Sequence, residues 1–219
     1  MATHPRIAPR RGARATTWWG KAWVRAVEEA AYGERDLVRG RTLARSGLVG
    51  GITVEPGRFL AAVEEGDDAF TVSGAVPMLG PHELDAFAET VAAEAGRIGA
   101  LMAGDLPHSL VEHAEETGIE LLPYGGELAT RCSCEPWTDP CPHALGVLYQ
   151  LTWLLEADPF VLLALRGLER DDLLARLHAV ATETRGPTSD ADVASDAAER
   201  ARRVLATLDD PDALLDFAW

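Results

Sequence analysis

The sequence predicts an α+β fold, and three observations carry that expectation. Apolar residues recur at helical spacing over 17–32 and again after Pro77. Between Arg41 and Val76 the period drops to two, in short runs separated by turn residues. Three cysteines and a histidine then crowd into positions 132–143, directly ahead of a long apolar run.

The elements follow in order. Residues 1–15 are rich in Arg, Pro and Ala without a hydrophobic period, which predicts an unfolded arm. Trp19, Trp23, Val27 and Ala30 form one stripe, with Thr16 or Thr17 as N-cap and Gly33 as stop, so 17–32 reads as an amphipathic helix with Trp18 off its stripe. The runs 51–55, 59–63 and 70–73, divided by Pro56-Gly57 and Gly66-Asp67, predict an antiparallel meander of three or four strands. Helical period returns over 81–95, 97–103 and 108–117, broken at Gly96, Gly104 and Pro107, with Gly118 as a C-cap. Short strands at 119–122 and 128–131 lead to the cysteines. Pro142 suits the first turn of a buried helix over 142–157, and helices over 159–166 and 169–183 follow. A linker at 185–190, a charged helix over 194–208 and an acidic, apolar tail from Asp212 to Trp219 complete the chain. The organisation expected is a flexible basic arm (1–16), an α+β region (17–118), a cysteine-rich finger (119–157), a helical extension (158–184) and a linker with a terminal helix (185–219).

With 219 residues, 47% of them hydrophobic, the chain can bury a real core. Its longest apolar runs fall short of the roughly 18–20 residues that span a bilayer, so no membrane segment is expected. The first residues lack an apolar stretch followed by a cleavage site, and the expected location is the cytoplasm. The net charge of −15 conceals a split, because residues 1–48 hold ten basic groups against four acidic ones, leaving +6 there and −21 in the remainder. Such asymmetry fits a basic segment that meets a polyanion or acidic partner, and equally one that docks on its own acidic body.

The segment from Arg131 to His143 supplies Cys132-x-Cys134, six residues, then Cys141-x-His143. Zinc favours tetrahedral sites of thiolates and imidazoles, and a site whose four positions are all protein atoms is structural, leaving no place for a reactive water. A disulfide scheme would strand one of the three cysteines, whereas one metal uses them all. An imidazole in the set and the short loop suit mononuclear zinc rather than iron. The expected shape is a hairpin with the first pair and a helix start with the second, where the positive end of the helix dipole favours a thiolate. Pro136, Trp137 and Pro140 stiffen and cover the loop between. A closed site of this kind contributes on the order of 10 kcal/mol to local folding.

At these residues the chain resembles the SWIM-type zinc finger, in which Cys-x-Cys, a variable spacer and Cys-x-His stand at the head of an apolar helix, here 144–151. Over most of its length it is similar to bacterial SWIM zinc finger family proteins, from Trp18-Trp-Gly-Lys-Ala-Trp23 and Arg41-Thr-Leu-Ala-Arg-Ser-Gly47 through Asp158-Pro-Phe-Val-Leu-Leu-Ala-Leu-Arg-Gly167. The resemblance implies Zn2+ on Cys132, Cys134, Cys141 and His143, a protein-binding or DNA-binding role, and association with a Swi/Snf-type helicase-like ATPase. Around the finger Glu135 and Asp139 outnumber Arg131, which favours protein over phosphate as its contact.

Lys21 and Arg25 beside Trp18, Trp19 and Trp23 could neutralise and stack a nucleic-acid strand, or the tryptophans could simply be core. Arg39, Arg41 and Arg45 form a second basic patch, expected beside the first strand. His108 and His113 are five apart and fall on different helix faces, so they are not expected to share a metal. No phosphate loop, serine elbow or spare cysteine is present, so no catalysis and no small-molecule substrate are expected. The leading expectation is an accessory module that binds a protein partner and contacts DNA; the alternative is a zinc finger protein that binds DNA directly through its basic N-terminal third.

Overall fold

The computed structural model describes residues 1–12, 14–185, 194–195 and 197–202. It divides into two units, Met1–His178 and Ala179–Trp219. In the second unit the described residues are helical, and the acidic tail expected at 212–219 lies outside them. The first unit is α+β, as the period changes predict, and holds the cysteine cluster.

Its sheet has five antiparallel strands in sequence order: β1 (Ala2–His4), β2 (Val49–Glu55), β3 (Arg58–Glu65), β4 (Asp68–Ala75) and β5 (Ala129–Cys132). Strands β2 to β4 form the meander expected from the two-residue period, which buries Ile52, Val54, Phe59, Ala61, Val63 and Val72 on one face. Strand β5 returns from far along the chain to pair with β4, placing Cys132 opposite Val72.

The N-terminal arm is not unfolded. Residues Ala2, Thr3 and His4 pair with Val54, Thr53 and Ile52, the Arg6 guanidinium pairs with the Glu64 carboxylate, and the Arg10 N–H donates to the Arg45 carbonyl at 3.0 Å. A strand of three residues is too short to show a period, and what orders it is the open edge of β2. Docking on the acidic body accounts for Arg6 and the N-terminal amine, which meet Glu64 and Glu169, whereas Arg11 and Arg14 of the same segment meet no acidic residue among the described residues.

Helix α1 (Trp18–Ala30) starts where expected, the Thr17 hydroxyl accepting from the Gly20 N–H at 3.0 Å. Helix α2 (Glu34–Ser46) occupies residues in which the alternating pattern had been expected to begin. Its buried stripe of Leu37, Gly40, Leu43 and Ala44 is narrow and surrounded by charge, which hides the helical period. Arg39, Arg41 and Arg45 therefore all stand on a helix, not on a segment beside the first strand. Helices α3 (Pro81–Ala92), α4 (Ala95–Met102) and α5 (His108–Glu116) follow, with breaks as predicted at Gly104 and Pro107 but with the first at Ala93–Glu94 and not at Gly96, which lies inside α4. No strand forms at 119–122: Ile119 donates to Ala114 and the Glu120 carbonyl accepts from buried Arg166, so this backbone is satisfied without a sheet.

Helix α6 (Pro142–Ala157) is the axis of the unit, buried along nearly its whole length. It packs on α1, on α2 and against the sheet. Two glycines set the α2–α6 distance, since a Cβ on Gly40 would lie 2.5 Å from the Leu145 Cβ and one on Gly146 3.1 Å from the Leu43 Cβ. Trp19 and Trp23 are core residues, their indole N–H groups donating at 3.1 Å to the carbonyls of Leu155 and Leu148, and half-buried Trp18 donates to Leu106 at 2.9 Å. They offer no stacking platform. Helices α7 (Phe160–Leu165) and α8 (Arg170–Arg185) follow; no helix among the described residues is long and apolar enough to cross a membrane.

Candidate metal centre

Three pieces of the chain bring the predicted ligands together. Cys132 is the last residue of β5, and Ser133 extends the pairing with β4 by donating its N–H to Thr71 at 3.0 Å and accepting the Thr71 N–H on its hydroxyl at 2.9 Å. That ladder fixes the backbone between the first two cysteines. Cys134 lies in the turn beyond, before Glu135, which takes a left-handed φ of 47°. Cys141 is the N-cap of α6 and His143 lies in its first turn, after Pro142. The loop between the pairs is tied back by the Thr130 hydroxyl, which donates to the Asp139 carboxylate, and Trp137 at its tip is wholly exposed.

One donor atom from each of Cys132, Cys134, Cys141 and His143 falls within 4.8 Å of every other. Cys134 Sγ is 3.7 Å from Cys141 Sγ, and Cys132 Sγ is 3.8 Å from His143 Nδ1. Ligands held about 2.3 Å from a tetrahedral zinc are separated by edges of about 3.7 Å, so the spacing suits a mononuclear ion. Without one, burial pushes the Cys134 and Cys141 thiols upward, and the neighbouring sulfurs push Cys134 further. A divalent cation reverses that preference by binding the thiolates.

The imidazole is oriented from outside the ligand set. His143 Nε2 donates to the Glu65 carboxylate at 3.0 Å, leaving Nδ1 to face Cys132, and the ring stacks on Phe70 with centroids 4.4 Å apart. Glu65 in turn accepts from Arg39 at 3.1 Å. The bond from His143 holds the Glu65 carboxyl below its ordinary value, and Arg39 adds to this. A metal-bound histidine whose other nitrogen meets a carboxylate has its tautomer fixed and its basicity raised. Glu65 and Phe70 carry no signal in the sequence, since both lie some seventy residues from His143 and meet it only through the β3–β4 hairpin.

The predicted nucleic-acid residues divide. Lys21 and Arg25 on α1 and Arg41 and Arg45 on α2 line one hollow of about 700 Å³. Arg39 is not among them, because it faces the opposite way, onto Glu65. His108 pairs with Glu112 at 3.2 Å and His113 with Arg97 at the same distance, so neither joins a metal group.

Among curated proteins the chain is similar to one from Mycobacterium tuberculosis. It is 34% identical over 183 residues to "Uncharacterized protein Rv2102", a match that covers 82% of this chain and 65% of that relative. The chain thus spans about 65% of the relative's length. No protein-family model and no solved structure matches the chain.

Proposed function

We propose that the protein is a zinc-organised docking module that works without catalysis, its partner a Swi/Snf-type helicase-like ATPase as the resemblance to SWIM-type fingers implies. The observation that carries the reading is the position of Trp137. A tryptophan at full exposure is uncommon, and this one stands at the tip of the loop that joins the two ligand pairs. Zinc on Cys132, Cys134, Cys141 and His143 fixes both ends of that loop, and Pro136 and Pro140 restrict its middle. A rigid aromatic presented in this way is the kind of side chain that dominates binding energy when it enters a pocket on a partner. Glu135 and Asp139 beside it disfavour phosphate and favour a basic rim on the partner.

With all four metal positions taken by protein atoms the ion has no site for substrate or water, which supports a structural role. The test is titration calorimetry of the zinc-loaded chain against a Swi/Snf-type ATPase from the same genome. Trp137→Ala is expected to keep zinc content and melting temperature while weakening association by about thirtyfold or more. No association of the unsubstituted chain, or full association of the variant, rejects the reading.

A further inference from the structure

The hollow between α1, α2 and the N-terminal segment is concave and unlike the rest of this acidic molecule. Lys21, Arg25, Arg41 and Arg45 line it from the helices, and Arg10, Arg11 and Arg14 line it from the segment that precedes α1. Glu28 is the single acidic residue of the lining. Seven cations against one anion, in a chain of net charge −15, is a concentration of like charge that costs stability unless something neutralises it.

Part of the charge is answered internally. Arg41 pairs with Glu28 at 3.4 Å and with Glu34 at 2.5 Å, and the Arg10 guanidinium lies 4.2 Å over the Trp153 ring. Arg11, Arg14, Lys21 and Arg25 are exposed, and among the described residues none of the four has an acidic partner within bonding distance. These four are the exposed free cations of the hollow; half-buried Arg45 also lacks an acidic partner among the described residues and donates its Nε–H to the Arg41 carbonyl at 3.1 Å.

A second observation points to a ligand. Tyr149 of α6 lines the same hollow, is 2% exposed, and its hydroxyl is buried with no hydrogen-bond partner. A buried donor left unmatched costs about 1–3 kcal/mol, and nearly all such groups in folded proteins find a partner. Burial pushes the Tyr149 phenol up to about 12, so the group remains an O–H donor at neutral pH. An oxyanion entering between the guanidinium groups would supply the missing acceptor.

We infer that this hollow is a binding site for a chain of phosphates, with Lys21, Arg25, Arg11 and Arg14 neutralising successive phosphate groups and the Tyr149 hydroxyl donating to one of their oxygens. Four free positive charges are too many for one phosphate group, which points to a chain of phosphates supplied by a single nucleic-acid strand or a free oligophosphate. The tryptophans of α1 are turned into the core, so contacts are to phosphate and not to bases, and recognition is indifferent to sequence. The site lies apart from the metal centre and does not depend on docking through Trp137, whose substitution leaves it intact.

Fluorescence anisotropy of the full zinc-loaded chain with a short labelled oligothymidylate tests the inference, with inorganic triphosphate as competitor and a duplex of equal length as a further arm. Binding is expected to weaken with salt. The Lys21→Gln/Arg25→Gln double variant should lose at least about tenfold in affinity and flatten the salt slope by about 1.4, at roughly 0.7 per lost contact. Tyr149→Phe should lose about tenfold with the slope unchanged, because it removes a hydrogen bond and no charge. The control Arg35→Gln/Arg58→Gln removes the same charge from exposed positions outside the hollow and should bind as the unsubstituted chain does. Competition by triphosphate assigns the site to free oligophosphate, and binding that triphosphate does not displace assigns it to the strand. No binding of either ligand at low salt, equal loss in the control variant, or preference for the duplex overturns the inference.

Discussion

At the scale of single residues, the bond from His143 to Glu65 does most to shape the candidate metal site, because it selects which ring nitrogen faces the sulfurs. Glu65→Gln keeps the size of the side chain and removes the charge that supports the imidazole. Zinc affinity, read by competition with a chromophoric chelator, is expected to fall by about 10- to 100-fold, while the protein still loads fully at saturating zinc. Unchanged affinity would reduce Glu65 to a surface partner of Arg39. Arg39 itself illustrates how a charge can mislead: in sequence it belongs with Arg41 and Arg45, yet about half a turn of helix separates its direction from theirs, and only those two reach the basic hollow.

At the scale of elements, the contact between α2 and α6 places both the cysteine cluster and the basic hollow. Helix α6 begins at the candidate metal ligands and carries Tyr149 two turns later, so its seating on α2 connects the cysteine cluster to the hollow. That seating depends on the absence of side chains at Gly40 and Gly146. Gly40→Ala would gain helix propensity on an exposed helix, but here the new methyl collides with the Leu145 Cβ and approaches α6 backbone at 3.3 Å. Overpacking wins over propensity, and a loss of about 1–3 kcal/mol is expected in urea unfolding. A stabilising effect would show that the helices separate easily. The sheet makes its contribution through β5, whose pairing with β4 holds Cys132 opposite Val72 and brings the β3–β4 hairpin under the histidine.

For the whole molecule, zinc and protons should act in opposite directions. In the metal-free chain burial raises the Cys134 and Cys141 thiols above their ordinary value of 9.0, so the neutral thiols stabilise the fold below that pH and the stabilisation is lost as pH rises through the folded values. With zinc bound the thiolates are the stable form, and stability is lost as pH falls and protons compete for the sulfurs. Chelator-treated protein is therefore expected to melt at least about 10 °C below the zinc-loaded form at neutral pH and to weaken further in alkali, whereas the loaded form weakens in acid. Melting curves of both forms across pH check this. Parallel curves would mean that the cysteines do not share an ion.

The sequence alone determined the features that depend on near neighbours. The period of apolar residues placed α1, the meander and α6, because each is a local repeat facing one core, and the four ligands lie within twelve positions, so their chemistry was legible before any fold. What escaped were the features set by distant partners. The three residues of β1 have no pattern of their own and are ordered by the open edge of β2; α2 shows too narrow an apolar stripe among its charges until α6 is laid against it. Glu65 and Phe70 meet His143 only after the strands pair. The net of the basic residues was countable, but not which of them converge, since direction around a helix and the docking of the N-terminal segment decide that Lys21, Arg25, Arg41 and Arg45 share a hollow while Arg39 does not. Sequence specifies local periodicity and ligand chemistry; the tertiary structure decides long-range company, because contacts between residues far apart in the chain form only when separate elements are packed together.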